Sequence, residues 1–415
     1  MAIPTPAKYI ADFENMGLGM FVHWGLYSQL GVGEWTFFCH KRKAEEYKKL
    51  AETFTACDFD AEELVLMAKE AGCKYVTLTT RHHEGFSLYD TCGLSDFDAL
   101  HTPAGRDLVR EFVDACRKHD MMPVFYHTTL DWIHPDFKGD FDAYLEYLRK
   151  SVEVLCKNYG KIGGLWFDGN WSKPREVWRE DELYATIRKY QPEALIIDNT
   201  GVSRLGEIGH PELDSVTFEQ GRPRPMDREG MPKYLAAEMC HTINDHWGIG
   251  DNDFNYQSPA SLIEHLCACR RVGANYLLNI GPRGQGAIEP IQRELFRILG
   301  RWMKIYGEAI YAGRPHPATC ERFPKNFVLR AGDTLYFFIH DLGRQGNKNV
   351  TVGGRYAGDI AFAGVCEEIT AIEWMDNGEA LEFTQEGDTF TAHFTGYPYG
   401  MSTCVRVAKA TVKAK

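Results

Sequence analysis

From about residue 15 to residue 310, short continuous apolar runs alternate with longer stretches whose apolar residues recur at helical spacing. A run that is apolar at every position has no side left for water. It reads as a strand covered on both faces, and such strands belong to parallel sheets clothed in helices. Six runs qualify: residues 20–24, 74–79, 122–126, 164–168, 194–198 and 275–280. Between them, Asp60 stands as a cap before Leu64, Met67, Ala68 and Ala71, and Gly72 stops that helix. Leu108, Phe112, Ala115 and Cys116 repeat the spacing, as do Leu145, Leu148, Val152, Leu155 and Cys156, and Ser258-Pro259 opens a later helix. At least six such strands, with no glycine-rich phosphate loop after the first, favour a closed (β/α)8-like TIM barrel over a doubly wound sheet.

Past Pro315 the period falls to two, in residues 334–340, 359–362 and 389–394, with turns at Gly353-Gly354 and Gly387. Alternation of this kind predicts an antiparallel β-sandwich. The chain of 415 residues therefore divides into a barrel domain, 1–314, and a sandwich domain, 315–415.

A net charge of -12 repels phosphate backbones and anionic lipid, which argues against nucleic-acid and membrane partners and favours a neutral ligand. Residues 1–20 hold Lys8, Asp12 and Glu14 and no continuous apolar stretch, so no signal or span is expected and the protein reads as cytoplasmic. The 12 cysteines lack paired metal spacing and read as reduced, buried thiols.

Catalytic groups of a barrel project from the C-terminal ends of its strands. Here the first run ends in His23-Trp24, and the second is followed by Arg81-His82-His83-Glu84. The third ends in Tyr126-His127, the fourth in Asp168 and the fifth in Asp198-Asn199. Any one of these has an ordinary structural explanation; five at equivalent positions point to one polar mouth. Histidine, tryptophan, tyrosine and carboxylate together suit a neutral pyranose. A metal is the alternative for His23, His82 and His83, but the adjacent pair lacks the three- or four-residue spacing of helical ligands.

Five segments resemble the α-L-fucosidases of glycoside hydrolase family 29. They are Gly19-Met20-Phe21-Val22-His23-Trp24-Gly25 with Gly33-Glu34-Trp35, Arg81-His82-His83-Glu84-Gly85-Phe86, Leu165-Trp166-Phe167-Asp168-Gly169, Asn244-Asp245-His246-Trp247-Gly248, and Tyr276-Leu277-Leu278-Asn279-Ile280-Gly281-Pro282. The resemblance covers about residues 10 to 310. It implies a retaining exo-glycosidase acting on terminal α-L-fucosyl residues of oligosaccharides or glycoconjugates. By position it implies Asp168 as nucleophile, in a sugar pocket of His23, Glu34, Trp35, His82, His83, Tyr126 and Trp166.

A retaining glycosidase needs one ionised carboxylate and a second, protonated one about 5–5.5 Å away, and no metal or organic cofactor. For the second carboxylate the resemblance offers two positions. Glu219, in Thr217-Phe218-Glu219, matches the segment that supplies it in many bacterial members, and Glu238, in Ala237-Glu238-Met239, matches the placement proposed in animal members. Glu219 is the preferred one. Two departures bear on specificity: the residues after the fifth strand, Asn199-Thr200-Gly201, lack a sugar-binding Arg common in the family, which Arg204 either replaces or leaves unreplaced, and Ala237 stands where an aromatic is usual. The competing readings are a retaining glycosidase of a related sugar, such as a galactoside, and an inactive carbohydrate-binding protein on the same barrel.

Overall fold

The computed structural model describes residues 2–221, 223–346 and 356–414. Eight parallel strands close into a barrel in chain order: β1 Leu18–Val22, β2 Tyr75–Arg81, β3 Met122–Thr128, β4 Gly164–Asp168, β5 Leu195–Asn199, β6 Ser215–Glu219, β7 Ala236–His241 and β8 Asn275–Ile280. β8 returns to β1, with Leu278 opposite Met20. The six apolar runs are all strands of this barrel. β6 and β7 were not legible as apolar runs, because Ser215, Thr217 and Glu219 interrupt one and Glu238 and His241 the other. Both are nonetheless buried along almost their whole length.

The interior is filled by Phe21, Tyr75, Val124, Tyr126, Trp166, Ile197, Cys240 and Leu277, with Ile10 and Phe13 of the helix Lys8–Glu14 in the same cluster. Gly19 makes room for one of these rings: a Cβ there would stand 2.3 Å from the Tyr75 ring. Outside, the helices Ala61–Glu70, Leu108–Lys118 and Phe141–Asn158 begin at Asp60, Asp107 and Asp140, each of whose carboxylates accepts a backbone N–H of the first turn. Ser258 caps Pro259–Arg271 in the same way, with proline at the first helical position.

By compactness the chain forms two units, Met1–Gln257 with Asn275–Arg297, and Ser258–Ala274 with Ile298–Lys415. The second unit carries two antiparallel sheets. One has the order β13-β16-β11-β10-β9, from Ile369–Trp374, Val405–Val412, Thr334–His340, Phe327–Ala331 and Arg314–Pro315; the other has the order β12-β15-β14, from Gly358–Ala363, Thr389–Phe394 and Phe383–Glu386. Phe337 of the larger sheet meets Phe362 and Phe390 of the smaller at 5.1 and 5.0 Å between ring centres, so the sheets face each other across an aromatic core. The expected turn at Gly387 is present, in the left-handed conformation. The expected turn at Gly353-Gly354 lies outside the described residues.

None of the 12 cysteines is in a disulfide, but Cys39, Cys57, Cys92 and Cys366 are exposed and Cys404 is half-buried, which corrects the expectation of burial for those five. Cys39 ends the one-turn helix Thr36–Cys39 and the other four sit on loops, which the apolar periodicity does not govern. Among the described residues no helix is long and apolar enough to cross a membrane.

Candidate active site

A strand sends alternate side chains to opposite faces, so the polar residues at each strand end divide by parity. On β3, Tyr126 points into the barrel and its neighbour His127 outward, where it meets Ser151 Oγ at 3.1 Å. On β5, Asn199 points in and Asp198 out, accepting from Tyr184 Oη at 2.9 Å and Asn170 Nδ2 at 2.8 Å. Arg81 likewise serves the outer layer, against Tyr147. The inward set converges on a cavity of about 380 Å³ lined by His23, Trp35, His82, His83, Tyr126, Trp166, Asp168 and Glu219, among others.

Asp168 ends β4 inside this cavity. Its Oδ2 receives Tyr126 Oη at 3.0 Å and faces His83 Nε2 at 3.4 Å; its Oδ1 receives Trp171 Nε1 at 2.7 Å and Asn199 Nδ2 at 3.4 Å. Burial pushes this carboxyl up, but His83, Trp171 and Tyr126 outweigh it and hold the group below its ordinary value. His83 is itself fixed by Nδ1, 2.7 Å from Thr128 Oγ1.

Glu219 ends β6 and shares a donor with Asp168. Asn199 Nδ2 gives 2.7 Å to Glu219 Oε2 and 3.4 Å to Asp168 Oδ1. These two oxygens therefore lie no farther apart than the two bonds laid end to end, short of the ~6.5–9.5 Å that an inverting carboxylate pair needs to admit water. Burial first, and then the charge of Asp168, push Glu219 up to about 7 against the pull of Asn199.

Glu238 belongs to the layer beneath. In the β6–β7 register Glu219 is opposite Cys240, which lines the cavity, while Glu238 is opposite Thr217. Two residues along a strand is about 6.6 Å. At that depth Glu238 accepts from Trp166 Nε1 at 2.9 Å and from the Tyr75 hydroxyl, and it is 1% exposed. Burial pushes it up to about 7 as well. It does not line the cavity.

The remaining residues singled out by sequence fall into two groups. His23, Trp35, His82, His83, Tyr126 and Trp166 line the cavity. Glu34 does not: its carboxylate accepts the backbone N–H groups of Trp247 at 3.1 Å and Gly248 at 2.8 Å, and so holds the loop that presents Trp247 to the cavity. For His23 the hydrogen-bond pattern also assigns a tautomer. Asn279 Nδ2 donates to Trp247 O at 2.7 Å, which turns its Oδ1 toward His23 Nδ1, also at 2.7 Å. Nδ1 therefore carries the hydrogen and Nε2 is left as an acceptor, on a ring that burial keeps neutral by lowering its pKa to about 3.

Asn199, one of the polar strand ends, lines the cavity, as do Trp171, Cys240 and Trp247, to which the sequence assigns no site role. Of the strand end Asp198-Asn199, parity selects Asn199, two positions beyond Ile197 on the inward face. Trp171, three residues past Asp168 in the short 3-10 turn Asn170–Ser172, carries no such signal. Arg204 is not at the cavity; it is exposed and pairs with Glu207 at 2.8 Å, and the loop contributes Gly201, Val202 and Ser203 instead. Among the described residues no group of three His, Cys, Asp or Glu side chains is placed to hold a metal ion.

Known proteins resemble this chain along most of its length. Tissue α-L-fucosidase of Rattus norvegicus is 30% identical over 338 residues, covering 75% of this chain and 71% of the relative. The Homo sapiens protein of the same name is 29% identical over 372 residues, covering 81% and 76%. Among solved structures, α-L-fucosidase isoenzyme 1 from Paenibacillus thiaminolyticus superposes with a TM-score of 0.85 at 30% identity, over 98% of this chain and 99% of that one. The α-fucosidase of Thermotoga maritima in complex with a mechanism-based inhibitor gives 0.77 at 25%, over 97% and 96%. The family model described as α-L-fucosidase matches residues 5–308, and the chain belongs to that family, glycoside hydrolase family 29.

Proposed function

We propose that this protein hydrolyses terminal α-L-fucosyl residues of oligosaccharides or glycoconjugates with retention of configuration, using Asp168 as nucleophile and Glu219 as acid/base. The observation that carries the reading is the carboxylate pair joined by Asn199, one member held ionised by its donors and the other protonated up to about pH 7. Two carboxyl groups polarised this way match the two roles of a retaining site.

In the first step an Asp168 oxygen bonds to C1 as the bond from C1 to the leaving oxygen breaks, and Glu219 gives its proton to that oxygen. In the second, Glu219 takes a proton from water, the water oxygen bonds to C1, and the Asp168–C1 bond breaks. Both carboxyl groups end as they began. The pocket histidines orient the sugar, neutral His23 accepting a hydroxyl hydrogen at Nε2. Glu238 has a structural part, anchoring the Trp166 ring from below.

The apolar rings of the cavity favour fucose over galactose. Phe21 stands 5.3 Å from Trp166 and 5.9 Å from Trp247, ring centre to ring centre, and Cys240 lines the same cavity. A methyl group is at home against such a wall, whereas a hydroxymethyl group would lose its hydrogen bonds to water there. The test is proton NMR of the first product from an aryl α-L-fucoside, followed before mutarotation. The α-anomer is expected; the β-anomer would refute retention. Faster turnover of an aryl α-galactoside would refute the sugar.

A further inference from the structure

We infer that Trp171 is a positioning residue of the reaction, one that holds an oxygen of Asp168 through its indole N–H while its ring lines the pocket. The inference rests on reading Asp168 as the nucleophile. Of the four groups around that carboxylate, Trp171 Nε1 makes the shortest contact, 2.7 Å, against 3.0 Å for Tyr126 and 3.4 Å each for His83 and Asn199. Unlike a hydroxyl, an indole N–H can only donate, so this contact cannot reverse when the carboxylate changes state.

The ring is held on more than one side. It lies 12° from parallel to Trp35 at 6.1 Å and edge-on to His83 at 6.2 Å. Gly201 comes so close that a Cβ there would stand 3.2 Å from Trp171 Cγ, and its φ of +80° adds strain to any replacement. The turn Asn170–Ser172 that carries Trp171 is tied down by Asn170 Nδ2 to Asp198 Oδ2 at 2.8 Å. The N–H is therefore delivered to Asp168 by a pre-set ring rather than by a free side chain.

A hydrogen bond to a full carboxylate charge is stronger than one to a neutral ester. Trp171 consequently favours the states in which Asp168 is free and charged, and weakens as the fucosyl ester forms. It helps Asp168 depart from C1 in the second step at the expense of attack in the first, and it keeps the group ionised at lower pH.

Trp171→Phe keeps a ring and removes the N–H; replacement of Trp171 by its sulfur isostere, benzothienylalanine, removes the N–H while keeping the bicyclic shape. With an aryl fucoside whose leaving group is good, both variants are expected to lose about tenfold in kcat with a parallel fall in KM, as the second step becomes limiting. The acid limb of kcat/KM should move up by about one pH unit. If the acid limb stays in place and kcat/KM falls as far as kcat in the isostere, the inference is overturned and Trp171 is merely packing. That result is distinct from failure of the nucleophile reading, which would appear as an active Asp168→Asn enzyme.

Discussion

Glu219 and Glu238 stand on adjacent strands with their side chains on the inward face, and burial pushes both up to about 7. Their partners separate them. Glu219 accepts from an asparagine that it shares with Asp168, and it faces open cavity. Glu238 has one oxygen on Trp166 and the other on Tyr75, with no access to the cavity. A carboxyl raised toward neutrality by burial alone is a common structural outcome; one raised by a neighbouring carboxylate, within reach of a ligand, is equipped to trade protons. The pair shows that in a layered barrel a two-residue step along a strand separates a group of the mouth from a group of the floor.

The comparison depends first on Asp168, whose charge raises Glu219 but is not among the influences on Glu238. Asp168→Asn should lower kcat/KM by several orders of magnitude while sugar binding largely persists, because the attacking oxygen is lost and pocket shape is kept. Asp168→Gly with azide should regain turnover and release the β-fucosyl azide, with azide taking the place of the carboxylate. Titration of a fucose-like inhibitor into Asp168→Asn, with product analysis of the azide reaction, checks both halves. Turnover near wild type would remove Asp168 from its role.

Glu219→Ala comes next in size. On a substrate whose leaving oxygen needs a proton, the loss should be about 10²–10⁴-fold, and on an activated aryl fucoside the first step should be nearly intact. The fucosyl-enzyme should accumulate, and azide should relieve it as the α-fucosyl azide, the opposite anomer from the Asp168→Gly reaction. Azide acceleration of Glu238→Ala instead, with Glu219→Ala unmoved, would reverse the assignment.

The pH profile follows with a smaller effect. Activity requires Asp168 ionised and Glu219 protonated, so the rate should fall as pH drops through the lowered value of Asp168 and again as pH rises through about 7. Glu219→Gln should abolish the alkaline limb. An unchanged limb near 7 in that variant would assign it to another group.

Much of this arrangement is legible in the sequence. Six barrel strands appear there because their inward and outward residues are both apolar, and the antiparallel half appears at Gly358–Ala363 and Thr389–Phe394 because only alternate residues are buried. The expected alternation fails at Thr334–His340, which is apolar and buried almost throughout because it lies inside its sheet with both faces covered. The two strands carrying Glu219 and Glu238 escaped for the same physical reason that makes them of interest: polar side chains at inward positions break the apolar run. Asn199 stands in the sequence as part of a polar strand end without a stated role, and Trp171 escaped because a hydrogen bond back from a loop leaves no periodic trace. The placement of Glu34 and Arg204 away from the cavity depended on loop paths, which no local pattern encodes.

The smallest effect expected is that of Glu238→Gln, and it tests the floor layer alone. A glutamine can set its single carbonyl oxygen toward the Trp166 N–H, which can only donate, and its NH2 toward Tyr75, whose hydroxyl can turn to accept. Both partners stay satisfied, so kcat/KM should change by less than about tenfold, below the range of a lost general acid. Stability should reveal the difference. Glu238 has a folded pKa raised to about 7, above its ordinary value of 4.5, so the folded state binds its proton more tightly. Its favourable contribution is complete below about 4.5 and is lost as pH rises toward 7, because a buried carboxylate must then be ionised. Glu219, Glu84 and Asp198 are raised as well, so the wild-type protein should lose melting temperature from pH 5 to pH 8 through several groups at once. Glu238→Gln removes one of them and should flatten that decline by a few degrees in thermal scans. An identical slope in wild type and variant would show that Glu238 is already ionised in the fold, and the distinction between floor and mouth would then rest on access alone.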